Sequence, residues 1–220
     1  ENGPLALTSL GNPTTALASG DLVINGYRVV SSLASDDNSS FSGNIGSAIA
    51  KAAAINRTAG LENIIASAGT TTASGSAMTP LNGNDVTGTV TVNGVAINLS
   101  LYDANTTTAN RAAVVTQINA RSGQTKVRAT DSGDDTHGVI LTAADGRNIT
   151  VSFSGSLDKD NTGLADAGTY SGNYTLRSLT GADITLYQEP GGNIANSGFA
   201  IGTYKAKQAP FVPHRSVTTA

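Results

Sequence analysis

Asp21-Leu-Val-Ile-Asn-Gly-Tyr-Arg-Val-Val30 returns, in altered form, as Gly88-Thr-Val-Thr-Val-Asn-Gly-Val-Ala-Ile-Asn98. In both stretches apolar residues alternate on either side of an Asn-Gly pair. That dipeptide accepts the two positive φ values of a tight type I′ turn, so both read as β-hairpins. Each is followed by a polar loop and a helix of small residues: Ser47-Ala-Ile-Ala-Lys-Ala-Ala-Ala-Ile-Asn56 after the first, Asn110-Arg-Ala-Ala-Val-Val-Thr-Gln-Ile-Asn119 after the second. The Asn-Gly pairs lie 68 residues apart (25 to 93) and the Ile-Asn pairs 63 apart (55 to 118), a difference of five residues of loop. A hairpin-loop-helix unit is therefore written twice, and that repeat organises the rest of the chain.

With 220 residues there is room for one large domain or two small ones, each burying its own core. Two domains matched to the two units is the preferred division. Charged residues make up 13% of the chain, where an average globular protein has roughly 25%, and Ser, Thr, Asn, Ala and Gly fill the deficit. A surface wetted by hydroxyls and amides suits an extracellular protein better than a cytosolic enzyme. The net charge of −3 and scattered Lys and Arg argue against a nucleic-acid partner, which needs a clustered cationic face. Cysteine is absent, so there is no disulfide framework, thiol nucleophile or cysteine metal site, as suits a chain exported unfolded through a narrow channel. No stretch approaches the roughly 18 consecutive apolar residues of a membrane helix. The start at Glu1, without a signal peptide, reads as an excerpt of a longer chain.

The expected class is α+β, mainly antiparallel β with two short helices, each following an Asn-Gly hairpin. Residues 1–20 read as an extended lead-in, 21–75 as the first hairpin-helix-strand module, 84–204 as the second module with added strands, and 205–220 as an extended tail. Helices are predicted at 47–56, with Ile49, Ala52, Ala53 and Ile55 facing a sheet, and at 107–121. Strand 61–68 is expected to return beside the first hairpin. Residues 69–83 read as a linker or, alternatively, as a Thr-rich strand edge. Strands are predicted at 125–130 and 138–143, with Asp145-Gly146 as a hairpin turn into 148–153. Further strands fall at 173–179, 184–188 and 199–204.

Little of the sequence looks reactive, and no catalytic, cofactor-binding or metal-binding residues are assigned; the expectation is not an enzyme. Of the histidines, His137 lies in a turn and His214 in the Pro-flanked tail. No Gly-x-Ser-x-Gly opens a helix after a strand, and Ser154 does not fit that elbow. Beyond Glu1, only Glu62 and Glu189 could join a glutamate pair. Asp158-Lys-Asp-Asn-Thr-Gly163 imitates the start of a calcium loop, but Thr162 and Thr169 stand where further ligands belong, so an Asp/Asn/Gly turn is the default. Asp131, Asp134 and Asp135 form a second acidic turn, with a solvated loop as its default. Asn38-Ser-Ser40, Asn105-Thr-Thr107 and Asn148-Ile-Thr150 offer glycosylation triplets that composition alone would produce.

These repeated stretches resemble bacterial flagellin, in the variable outer region that carries the flagellin hook IN motif. The residues are Gly20-Asp-Leu-Val-Ile-Asn-Gly26 with Ile49-Ala-Lys-Ala-Ala-Ala-Ile-Asn56, and Thr89-Val-Thr-Val-Asn-Gly-Val-Ala-Ile97 with Asn110 to Asn119. The segment from Thr130-Asp-Ser-Gly-Asp-Asp135 to Leu141-Thr-Ala-Ala-Asp-Gly-Arg-Asn-Ile149 is also similar. The likeness spans about 20–70 and 84–155. Flagellin polymerises through long terminal amphipathic helices, and no heptad period exists here. The resemblance thus implies a structural, extracellular, surface-exposed part of the motility filament, monomeric by itself, whose partners are neighbouring flagellin subunits reached through domains outside this chain. Charge and hydropathy give no nucleic-acid partner and no membrane as the expectation. Filament-cap and hook-associated proteins share the motif and are an alternative. A carbohydrate-binding adhesin module is another, and its stacking platform would have to come from tyrosines such as Tyr170, Tyr174 and Tyr187.

Overall fold

In the computed structural model, residues 5–11 and 13–205 are described. The chain runs through β1 (Ala6–Thr8), the hairpin β2 (Val23–Ile24) and β3 (Tyr27–Arg28), helix α1 (Ala48–Asn56) and β4 (Ile64–Ala68). It continues with β5 (Thr71–Ala73), the hairpin β6 (Val86–Val92) and β7 (Val95–Leu101), helix α2 (Thr107–Ala120) and the single-turn α3 (Ser122–Thr125). After β8 (Arg128–Asp131), β9 (Val139–Ala143) and β10 (Ile149–Gly155) come the single-turn α4 (Lys159–Thr162) and β11 (Gly168–Tyr170). The last strands are β12 (Tyr174–Ser178), β13 (Ile184–Tyr187) and β14 (Gly202–Tyr204). The class is α+β dominated by antiparallel strands; two single-turn helices join the two expected ones.

Local chemistry sets the repeated pieces. Asn25 and Gly26 have φ of 50° and 89°, and Asn93 and Gly94 have 48° and 78°, so both hairpins turn as their Asn-Gly pairs require. Ser47 caps α1 through its hydroxyl on the Ala50 amide, and Thr106 caps α2 on the Ala109 amide. The two helices pack differently. On α2 the buried residues Asn110, Arg111, Val114 and Ile118 form one face. On α1 they lie all round, from Ala48 to Ile55, while Ile49 and Ala53, expected on the inner face, are only half-buried. The alanine-rich surface lets α1 lie against the sheet on one side and the 31–46 loop on the other.

The strands then assemble into two units of identical topology. The second unit has a three-stranded sheet β5-β9-β8 and a four-stranded sheet β11-β10-β6-β7. The first has β1-β12-β4 and β14-β13-β2-β3, the same arrangement with each strand replaced by its counterpart. Registers agree residue by residue: Ala129 pairs Leu141 as Ala66 pairs Leu176, and Ile149 pairs Tyr170 as Ile184 pairs Tyr204. Each unit has its own core. Ile24, Ile55, Tyr174, Leu176 and Leu186 lie in the first, and Val92, Ile118, Leu141, Ile149 and Leu164 in the second.

The second unit is inserted into the first, between β4 and β12, where its own equivalent connection is the short turn from Asp131 to Gly138. The chain leaves and re-enters side by side: the Gly69 amide donates to the Asn173 carbonyl (2.8 Å). A Cβ on Gly172 would sit 2.5 Å from the Thr71 hydroxyl, so this neck has no room for a larger residue.

That nesting corrects the division expected from sequence. The strands at 173–179, 184–188 and 199–204, grouped there with the second module, complete the sheets of the first. Strand β4 pairs β12 rather than returning beside the hairpin. Asp145-Gly146 does not close a hairpin: β9 and β10 belong to different sheets, and the turn carries the chain from one to the other. The lead-in contains β1, paired to β12, and 69–83 supplies strand β5, the alternative to a linker. The 205–220 tail lies outside the described residues beyond Lys205.

Candidate functional site

Two asparagines in each unit carry the repeated geometry. The turn residue Asn93 exchanges backbone bonds with the next strand, its amide donating to the Thr150 carbonyl (3.1 Å) and its Oδ1 accepting from the Thr150 amide (2.8 Å). Asn25 does the same with Thr185, at 2.9 and 2.7 Å. The helix-terminal Asn119 clamps Ala129, with Nδ2 to its carbonyl at 2.9 Å and Oδ1 from its amide at 2.8 Å. Asn56 clamps Ala66 at 2.8 Å in both directions. Since β4 and β8 are edge strands, these clamps satisfy backbone groups that a sheet edge leaves open.

The 31–46 loop joins the units. Asp37, buried, accepts from the Ser39 and Ser40 amides (2.8 and 3.0 Å) and from the Ser40 hydroxyl (2.5 Å). The same hydroxyl accepts the Asn148 amide of the second unit (2.8 Å), and Asn148 Nδ2 donates to the carbonyls of Ser42 and Gly43 (3.0 and 3.1 Å). Burial pushes the Asp37 carboxyl up, but the Ser40 and Ser47 hydroxyls and two amides outweigh it and hold it below the usual carboxylate range. Phe41 lies over Gly94, where a Cβ would meet its ring at 2.3 Å. The longer loop of the first unit thus serves as a strap over the turn of the second.

The singled-out acidic residues are bound to their own turns. Asp131 and Asp135 both grip the buried Arg111 guanidinium, Asp131 at 2.8 Å, and Asp135 also accepts the Thr107 hydroxyl (2.7 Å), tying α2 to the β8–β9 turn. Asp134 accepts from the Thr136 hydroxyl (2.7 Å), its amide and the His137 amide (both 2.8 Å), and its carboxyl lies far below the usual range. His137 is exposed, and Nδ1 alone meets both Asp134 (3.0 Å) and Thr136 (2.9 Å). A proton relay needs the carboxylate and the nucleophile on opposite ring nitrogens, so this turn is not built as one. His214 lies outside the described residues.

Asp158 is the N-cap of α4, reciprocally bonded with Asn161, and Gly163 at φ 69° ends that helix, so the calcium-like spelling folds as a capping box. Among the described residues no three carboxylate or imidazole groups gather as metal ligands. Glu62 accepts the Gly60 amide (3.0 Å), and Glu189 accepts Arg28 Nε (2.7 Å). Ser154 sits exposed on β10, its hydroxyl on the Thr89 carbonyl (3.5 Å). The triplet asparagines Asn38 and Asn105 are exposed, whereas Asn148 is fully buried in the joint and unavailable for modification. Tyr174 is a core residue of the first unit, its hydroxyl on the Ser197 carbonyl (2.6 Å) and its ring edge-on to Phe199. Tyr170 packs against the core of the second unit and Tyr187 is exposed on β13 of the first, so the three tyrosines build no shared platform.

A buried ammonium leaves little trace in the sequence. Lys51 on α1 is fully buried, donates to the Pro13 carbonyl (2.5 Å) and has its pKa pushed down to about 8 by burial, opposed by the charge of Asp21. Asp21 itself gathers the Ala18 and Asn193 amides and Asn196 Nδ2, each at 2.9 Å. Only its place in an alanine-rich helix hinted at this burial. Neither a protein-family model nor a curated protein matches the chain.

Proposed function

We propose that the chain is the outer, surface-exposed part of a bacterial flagellar filament subunit, a structural element. The supporting observation is the unit built twice, because its Asn-Gly turns and Ile-Asn helix ends are the stretches that resemble the flagellin outer region, and both copies use them as one structural device. The path of the chain agrees: the first unit holds both β1 and β14, and the second hangs from its two-stranded neck as an outboard lobe. The surface agrees as well. Outward positions of β6, β7 and β10 carry Thr87, Asn98, Ser100 and Ser152, and hydroxyl pairs such as Thr8 with Thr175 (2.9 Å) and Thr185 with Thr203 (3.1 Å) tie neighbouring strands. Such a face meets water and other molecules without strong charge.

Sequencing the gene on both sides tests this. Long amphipathic helical segments with heptad character on both flanks support it, and flanks without them overturn it. The isolated chain is expected to sediment as a monomer, since none of its helices exceeds α2 in length among the described residues.

A further inference from the structure

The α3–β8 corner of the second unit borders an open groove of about 330 Å³, lined by Ser122, Lys126, Arg128, Thr142 and Asp145 with small apolar surface between. We propose that this groove binds a small carboxylate-bearing saccharide.

Charge favours an anion at this corner. Among the described residues, the only lysines and arginines that neither enter an ion pair nor lie buried are Arg121, Lys126, Arg128 and Arg177. Three of these fall within eight residues of sequence, and two of the three line the groove. The one acid there, Asp145, is already held by Arg147 (2.6 Å). The shared scaffold does not require these cations. At the positions of Lys126 and Arg128 the first unit has Asn63 and Ile65, as the register at Ala129 and Ala66 shows.

Hydrogen-bond direction narrows the ligand further. Lys126 and Arg128 only donate and carry charge without an ion-pair partner, so an anionic acceptor satisfies them best. Ser122 already gives its proton to the Asn119 carbonyl (2.7 Å) and Thr142 to the Arg128 carbonyl (3.4 Å). Both hydroxyls are left as acceptors, whereas the Asp145 carboxylate is taken up by Arg147, so the ligand meets Ser122 and Thr142 with O–H donors. A carboxylate and several hydroxyls on one small molecule describe an acidic sugar. The volume lies at the small end for ligand sites, and no aromatic side chain lines the groove, so a neutral sugar finds neither charge nor stacking.

The binding is independent of the filament reading, and its test uses the whole chain. Amide chemical shifts are followed by NMR during titration with D-glucuronate, with glucose and acetate at matched ionic strength as controls. Saturable shifts at residues 122–128 and 142–145 with glucuronate, about tenfold weaker for either control, are expected. A Lys126→Asn, Arg128→Gln variant, verified as folded by its circular dichroism and urea midpoint, should lose that preference; Asn suits the left-handed backbone at position 126 (φ 58°). Glucuronate binding no better than acetate or glucose overturns the proposal, and so does a preference that survives the double variant.

Discussion

Replacing either helix-terminal asparagine by alanine should cost the same amount in both units. Asn56→Ala removes two hydrogen bonds to Ala66, and Asn119→Ala removes two to Ala129. At about 1 kcal/mol per bond this is about 2 kcal/mol, offset by roughly 0.6 kcal/mol because alanine is the better helix former. The net expectation is about 1.5 kcal/mol for each. Urea unfolding followed by circular dichroism should show a lower midpoint at unchanged slope. Amide hydrogen exchange then locates the loss: the Ala66 amide should lose protection in the first variant and the Ala129 amide in the second, each leaving the other protected. A cost below about 0.5 kcal/mol in either variant, or a difference above about 1 kcal/mol between them, would refute the reasoning that the asparagines seal equivalent sheet edges.

Tyr174→Phe deletes a buried hydroxyl and strands the Ser197 carbonyl, so a loss of about 1–2 kcal/mol is expected in the same assay, against about 3–5 kcal/mol for Tyr174→Ala. Lys51 is held in the fold at a pKa of about 8, against 10.5 for the free side chain, so between those values the unfolded chain binds more protons and stability rises with pH. That rise, roughly 2–3 kcal/mol in all, should vanish in Lys51→Met; above about pH 10 the buried Tyr174 hydroxyl, whose pKa burial raises, turns the curve down again. A wild-type curve that runs parallel to Lys51→Met from pH 7 to 10 would contradict the assignment. Ser40→Ala leaves the Asn148 amide and the Asp37 carboxylate short of a partner and should cost about 2 kcal/mol by urea unfolding. Residues 70–171 expressed alone should unfold cooperatively, and a molten product would count against an independent second core.

The pieces that sequence conveyed were local ones. An Asn-Gly pair states its turn because the backbone it needs is written in two residues, and Ser47 and Thr106 announce helix starts for the same reason. The nesting was hidden because it is carried by partners far apart. In the second half the repeat does have a signal, Ile149-Thr against Ile184-Thr and Gly168-Thr-Tyr170 against Gly202-Thr-Tyr204. Its spacing there is 35 (149 to 184) and 34 (168 to 202), where the first half shows 68 and 63. Because one copy is inserted within the other, the order of the copies reverses in the second half, the inserted unit's residues preceding their counterparts, so a search for one constant period passes over it. The groove was illegible for a related reason: Lys126 and Thr142 meet only through the pairing of β8 with β9.

Labelling intact cells of the source organism with gold-conjugated antibody raised against this chain tests the filament account most directly. Label running continuously along the flagellar filaments is the predicted result. Label confined to the cell body, or to the tip or base of the filament alone, would contradict it.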